Sequence, residues 1–182
     1  MELAPDEILT FWFVEHGPAD WFAGSKEFDT EIRSRFLPLC RTLLSSRADD
    51  HLGDPRTALA AVIVLDQFPR QVFRGTPDAF LGDPVAIAIT QGAISQGYDS
   101  DLTPDEKQFL YMPLMHSEVL SDQELCVKLF HDLGNENSLK YAIEHRDIIA
   151  TYGRFPHRNR ILGRDSTSEE LKFLSNHEGF GQ

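Results

Sequence analysis

The stretch Pro55-Arg56-Thr57-Ala58-Leu59-Ala60-Ala61-Val62-Ile63-Val64-Leu65-Asp66-Gln67-Phe68 decides the fold. Asp54 stands before Pro55, so a capping carboxylate precedes a proline at the first helical position, where its missing N–H costs nothing. Every residue from Ala58 to Leu65 is apolar. A helix that is apolar all round has no face for water and must be enclosed by other helices. The run is far shorter than the about 20 residues that cross a bilayer, so the enclosure is protein. Pro69 disfavours helical geometry in the residue before it, which predicts a stop at Phe68.

Outward from this segment, helix punctuation recurs. Pro5-Asp6-Glu7 opens a first helix carrying Ile8, Leu9, Phe11 and Trp12. Ser25 is an N-cap for a second, whose Phe28, Ile32, Phe36 (or Leu39) and Leu43 follow the 3.6-residue period, with a kink expected at Pro38. Asp83-Pro84 repeats the Asp-Pro start, 29 residues after the first, but little else matches and no tandem repeat follows. Thr103 to Glu106 and Ser121 to Glu124 read as capping boxes. A long helix over 138–152 closes at Gly153, and Thr167 to Glu170 opens a short last one. No segment alternates apolar and polar residues, and no linker separates a second domain. The expectation is an all-α, single-domain chain over residues 1–182, built around a central apolar helix.

Composition limits the function. The 182 residues carry 17 Lys+Arg against 29 Asp+Glu, a formal net charge of −12. Such a chain does not coat nucleic acid or anionic lipid by bulk electrostatics, so neither is expected as a partner. At this size about 70% of the extended-chain surface can be buried, enough for a core without staples. Cys40 and Cys126 lie in apolar helical contexts with no metal or CxxC spacing, which reads as two buried thiols in a reduced compartment. The N-terminus shows no secretory signal, and the expected location is cytoplasmic.

Two turns share one grammar. Leu65-Asp66-Gln67-Phe68-Pro69-Arg70, followed by Phe73-Arg74-Gly75, ends the central helix; Tyr152-Gly153-Arg154-Phe155-Pro156-His157-Arg158-Asn159, followed by Leu162-Gly163-Arg164, ends the long late one. Each rigid Phe-Pro turn presents arginine, whose planar fork suits bidentate binding of carboxylate or phosphate. The same cations also complement helix C-termini without any ligand. Residues 146–164 hold Arg146, Arg154, Arg158, Arg160 and Arg164 against Asp147, a local excess of +4 that leaves −16 for the rest of the chain. Either internal carboxylates or an external anion must answer it. Asp66, expected to be buried near a helix C-terminus, needs a cation or several donors, most simply Arg154 or Arg158.

His145 shares a helical face with Tyr141, Ile148 and Tyr152, and His116 shares one with Phe109, Met112 and Leu120, so both point inward. His116 and Glu118 lie about 200° apart on an ideal helix and cannot chelate one metal from it. His157 sits in the second turn among arginines that hold it neutral. No zinc, P-loop or dinucleotide motif occurs, and neither a metal nor a cofactor is expected. Trp12, Phe11, Phe13, Trp21 and Phe22 read as core aromatics.

The motifs Phe11-Trp12-Phe13, Leu65 to Arg70 with Phe73-Arg74-Gly75, Phe109 to Pro113, His116-Ser117-Glu118, Gly153 to Asn159 and Leu162-Gly163-Arg164 together resemble an uncharacterised bacterial domain-of-unknown-function family with a tetratricopeptide-like helical fold. The resemblance spans the chain, departing from the family pattern at Gln71, Tyr152 and Ser168. It implies a helical array and, by fold analogy alone, protein or peptide binding. It implies no activity or cofactor.

The leading expectation is that a cleft between the two turns binds a small anion or an acidic peptide terminus. Gln67, Arg70, Arg74, Arg154, His157, Arg158, Asn159 and Arg164 are its candidate ligand-binding residues. One alternative is a hydrolytic or acid/base enzyme, with Asp66, His116, Glu118, His145 and His157 as candidate catalytic residues. The other is a helical module for a protein partner in which every motif is structural.

Overall fold

The computed structural model describes residues 2–22, 24–177 and 179–180, and among them it is helical throughout, with no strand. None of its helices is long and apolar enough to cross a membrane. The chain divides into two compact units, one comprising Met1–Arg74 and Asp78–Pro113, the other Gly75–Pro77 and Leu114–Gln182.

The first unit contains α1 (Pro5–Thr10), α2 (Pro18–Trp21), α3 (Lys26–Leu43), α4 (Pro55–Val62), α5 (Phe68–Val72), α6 (Asp83–Ser95) and most of α7 (Pro104–His116). The segment Ala58 to Phe68 is sealed from solvent, as its sequence demands. α4 packs against α1 and α6, and α5 against α3. The stripe Phe28, Ile32, Phe36, Leu39 and Leu43 is buried, and α3 runs unbroken through Pro38. Ser25 caps α3 through Phe28 N–H, and Asp54 caps α4 through the amides of Arg56 and Thr57.

The helix does not stop at Phe68. One wide π-type turn, Ile63–Gln67, follows α4, and Phe68 N–H bonds to the Ile63 carbonyl five residues back. Phe68 keeps helical angles and Pro69 enters the first turn of α5, where its lack of an N–H is harmless. The extra residue in the turn is what lets proline continue the helix. It also rotates Asp66 and Gln67 fully inside.

Asp83 does not cap α6. Gly82 holds the N-cap position and Asp83 is already helical, its carboxylate turned instead to Arg70. Gly82 is the one residue that fits there, because a Cβ would collide with the Leu65 carbonyl oxygen. Among the aromatics, Phe11, Trp12 and Trp21 are core residues, with Trp12 and Trp21 packed on Phe109 at 5.3 and 4.7 Å. Phe22 is exposed, because it lies just past the end of α2.

The second unit contains α8 (Leu120–Leu133), α9 (Glu136–Tyr152) and α10 (Ser168–Leu174), with α8 packed along α9. The Ser121 capping box is not formed; α8 begins at Leu120 with Val119 as N-cap. Ser117 takes over, its hydroxyl accepting from Val119 N–H and donating to Asp122 at 2.6 Å. Gln123, wholly buried, donates from its amide to the carbonyls of Leu114, Met115 and Ser117 and so closes the free end of α7. α9 stops at Gly153, whose φ of +69° suits a residue without a Cβ. The short last helix opens at Thr167 as expected, and Thr167 and Glu170 form a capping box there. Both cysteines are free and buried, and burial pushes the Cys40 thiol up to about 12.

Candidate functional site

The two arginine-bearing turns belong to different units, and in each several arginines meet a carboxylate of the same unit. In the first, Arg70 forms a fork on Asp83, Nη1 to Oδ1 at 2.8 Å and Nη2 to Oδ2 at 2.9 Å, while Nη1 also reaches Asp66 Oδ1 at 3.1 Å and the Asp66 carbonyl at 2.8 Å. Burial opposes the Arg70 charge, yet the fields of Asp66 and Asp83 prevail and raise its pKa. Gln67 Nε2 donates to Asp66 Oδ2 at 2.5 Å. Arg74 donates to Gln71 Oε1 at 2.6 Å and lies 3.5 Å from Asp29.

The second turn is built on two carboxylates. Glu170 accepts Arg154 Nε at 2.6 Å and Nη2 at 2.8 Å, along with the Thr167 N–H and the Asn159 amide. The Arg154 bonds are the main reason its carboxyl is held down to about 2. Arg154 is therefore engaged by Glu170, which corrects its expected pairing with Asp66. Glu118 accepts Arg164 Nη1 at 2.7 Å and Nη2 at 3.0 Å, plus Phe155 N–H at 2.8 Å. Burial works against the Glu118 charge, but these donors lower its pKa overall. Arg164 spends its remaining donors on Asn159 Oδ1 and the Phe155 carbonyl. Among the described residues Glu118 thus serves Arg164 and the backbone of the turn, not a histidine ring. Arg154, Asn159 and Arg164 are the frame of the turn, with their donors spent on groups of the same unit.

What this frame holds is a group of rings around Phe155, which is itself fully buried. Arg158, 4% exposed, lies over the Phe155 ring at 4.5 Å and donates to the His116 carbonyl at 3.0 Å. His145 meets Phe155 edge-on at 5.4 Å, and His157 lies 5.4 Å from it. His145 Nδ1 is 2.8 Å from the Tyr141 carbonyl. A carbonyl only accepts, so Nδ1 carries the proton and Nε2 a lone pair in the neutral ring. Burial, helped by His116, Arg158 and His157, pushes His145 down to about 3. Burial, Arg158 and His177 do the same to His157, with Arg164 adding and Glu118 opposing. Both ring nitrogens of His157 are sealed without a hydrogen-bond partner among the described residues.

These imidazoles are neutral at physiological pH and weakly basic, which suits donating and accepting hydrogen bonds better than abstracting protons. No group of three or more His, Cys, Asp or Glu among the described residues is arranged to hold a metal ion.

Phe180 completes the group and was not singled out by any motif. Its ring lies 3.8 Å from His145 at an interplanar angle of 22°, and meets His157 and His177 edge-on at 5.4 and 5.1 Å. His177 is held by Glu144 at 3.2 Å and borders an open groove of about 610 Å³ along α9, floored by Ile148, Tyr152 and Phe173. Glu170 was legible only as a capping residue; nothing in its spacing announces Arg154 as its partner.

Residues 8–178 match the model of a family described as bacterial protein of unknown function (DUF924). The chain belongs to that family. Among solved structures, this DUF924 chain is similar to a protein of unknown function from Agrobacterium tumefaciens, with 36% identity, a TM-score of 0.89, and coverage of 95% of this chain and 97% of that one. No curated protein matches it. The DUF924 assignment and this neighbour support an all-helical bacterial protein and carry no activity with them.

Proposed function

We propose that this DUF924 chain binds a small anion at the ring cluster of its second unit, with Arg158 supplying charge and His157 and His145 supplying neutral hydrogen-bonding groups. The observation that carries the reading is the field at His157. Burial is the largest influence against its protonated form; Arg158, His177 and Arg164 add to it, and Glu118 opposes it. The arginine part of that influence favours an added negative charge, which burial by itself would not. The unspent ring nitrogens of His157 supply the directional partner, since a neutral imidazole offers one donor and one acceptor. The acidic chain as a whole repels polyanions, so the ligand is a small molecule or a single acidic peptide terminus. Of the eight candidate ligand residues, Arg70, Arg154, Asn159 and Arg164 then act as framework, each bound to a partner in its own unit.

Thermal unfolding with phosphate, sulfate and simple carboxylates tests this. A ligand present at 100 times its Kd adds about 2.7 kcal/mol to stability. At least one anion is expected to stabilise the wild type and the exposed-site control Arg160→Ala, and to lose its effect in Arg158→Gln and His157→Phe. If none of the anions stabilises the wild type, or if His157→Phe responds fully, the proposal fails.

A further inference from the structure

Phe180 occupies its slot by shape and not by polarity. The walls are His145, stacked at 3.8 Å, and His157 and His177, both edge-on, over the buried Ile148, Ile149 and Phe155. A flat ring fits such a box. A phenyl ring, however, has no group to offer the imidazoles around it. Both His157 nitrogens are sealed without a partner among the described residues, and His145 Nδ1 is spent on the Tyr141 carbonyl. Buried polar atoms in a native protein are nearly always satisfied, and an unsatisfied one calls for a cause such as strain, a chemical role or a bound water or ion.

Phe180 lies beyond the end of α10, outside any helix. Gly179 adopts a φ of +76°, passes 3.5 Å from the His157 Cβ (measured from where its own Cβ would stand), and bonds through its N–H to His177 Nδ1 at 3.0 Å. His177 in turn is held by Glu144 at 3.2 Å and by stacking on Phe173 at 4.6 Å.

We propose that Phe180 is an internal stand-in for the ligand, and that the slot it fills accepts a planar aromatic carboxylate. The aromatic ring takes the place of the phenyl group against His145. The polar edge reaches the unspent nitrogens of His157, and the negative charge lies in the field of Arg158. This deepens the anion-binding reading and rests on it: the same site is given a ligand class, and Phe180 is its built-in competitor.

The experiment compares wild type with Phe180→Ala in the full chain, using calorimetric titration with benzoate and pyridine-2-carboxylate, and with cyclohexanecarboxylate and acetate as non-aromatic acids. Removing the competitor frees the occupied fraction of the site, so the aromatic acids are expected to bind Phe180→Ala about tenfold or more tightly than wild type. Phe180→Tyr, which keeps the plug, should behave as wild type. The imidazole NMR signals of His145 and His157 should move on binding benzoate and stay put with acetate at equal concentration. Should acetate and benzoate bind both proteins equally, the aromatic slot is refuted while anion binding stands. Benzyl alcohol binding Phe180→Ala as tightly as benzoate refutes the requirement for charge. Absence of binding by any acid to either protein removes both proposals. A circular-dichroism melt that leaves Phe180→Ala folded at the titration temperature validates each comparison; if that variant is unfolded, the larger plug Phe180→Trp carries the test, and it must weaken benzoate binding.

Discussion

Asp83→Asn separates two roles that the sequence does not distinguish. As a helix cap, asparagine equals aspartate, and the substitution would change stability by a few tenths of a kcal/mol. As the partner of a buried arginine, it removes the charge while keeping the shape. Arg70 is 9% exposed and spends both terminal nitrogens on Asp83, at 2.8 and 2.9 Å. Breaking such a buried pair on one side costs about 3–5 kcal/mol, because the remaining charge stays desolvated. Asp66, 3.1 Å from the same guanidinium, keeps part of the compensation, which points to the lower end, about 3 kcal/mol. With a urea slope of ~2 kcal/mol per molar, the midpoint should fall by roughly 1.5 M. Urea unfolding followed by circular dichroism at pH 7 reads this directly. A midpoint lowered by less than about 0.3 M with an unchanged slope would refute the ion-pair argument and restore the cap.

The two buried histidines make stability depend on pH. Both have folded pKa values of about 3, below the ordinary 6.5. The unfolded chain therefore takes up protons first as pH falls, and their contribution is fully present above 6.5 and is lost from there toward 3, by about 2 kcal/mol each at pH 5. Urea midpoints at pH 7 and 5 measure the sum, and a histidine NMR titration showing either ring with a midpoint near 6.5 contradicts it. Gly82→Ala should lower the melting temperature sharply and cost about 3 kcal/mol or more, since the obstacle is backbone and cannot swing aside; a melt like wild type's would overturn that close approach. Asp54→Ala should cost about 1 kcal/mol by urea unfolding, because two amides at the start of α4 lose their acceptor.

Asp54, Ser25, Thr103 and Thr167 show how far local reading reaches. Each cap is a contact within three residues, so the sequence that specifies it also contains its partner. The same locality failed at Phe68. The sequence marks proline as a stop, while the wide turn that absorbs it is set by how the surrounding helices hold the apolar segment. For the site, the histidines were legible as inward-facing from helical spacing. The neutrality of His157 was legible from its arginine neighbours, whereas that of His145 required knowing that burial, His116 and Arg158 act on it.

The all-helical class and the enclosed segment from Ala58 to Phe68 were determined by the sequence alone, because periodicity and capping are short-range. The fate of the local +4 charge was not. Glu118 is 46 residues from Arg164, and Glu170 is 16 from Arg154. Which carboxylate meets which guanidinium depends on the packing of helices that sequence spacing does not constrain. Only that packing shows Arg154 and Arg164 as the frame of the turn, and Phe180 as the ring that fills it.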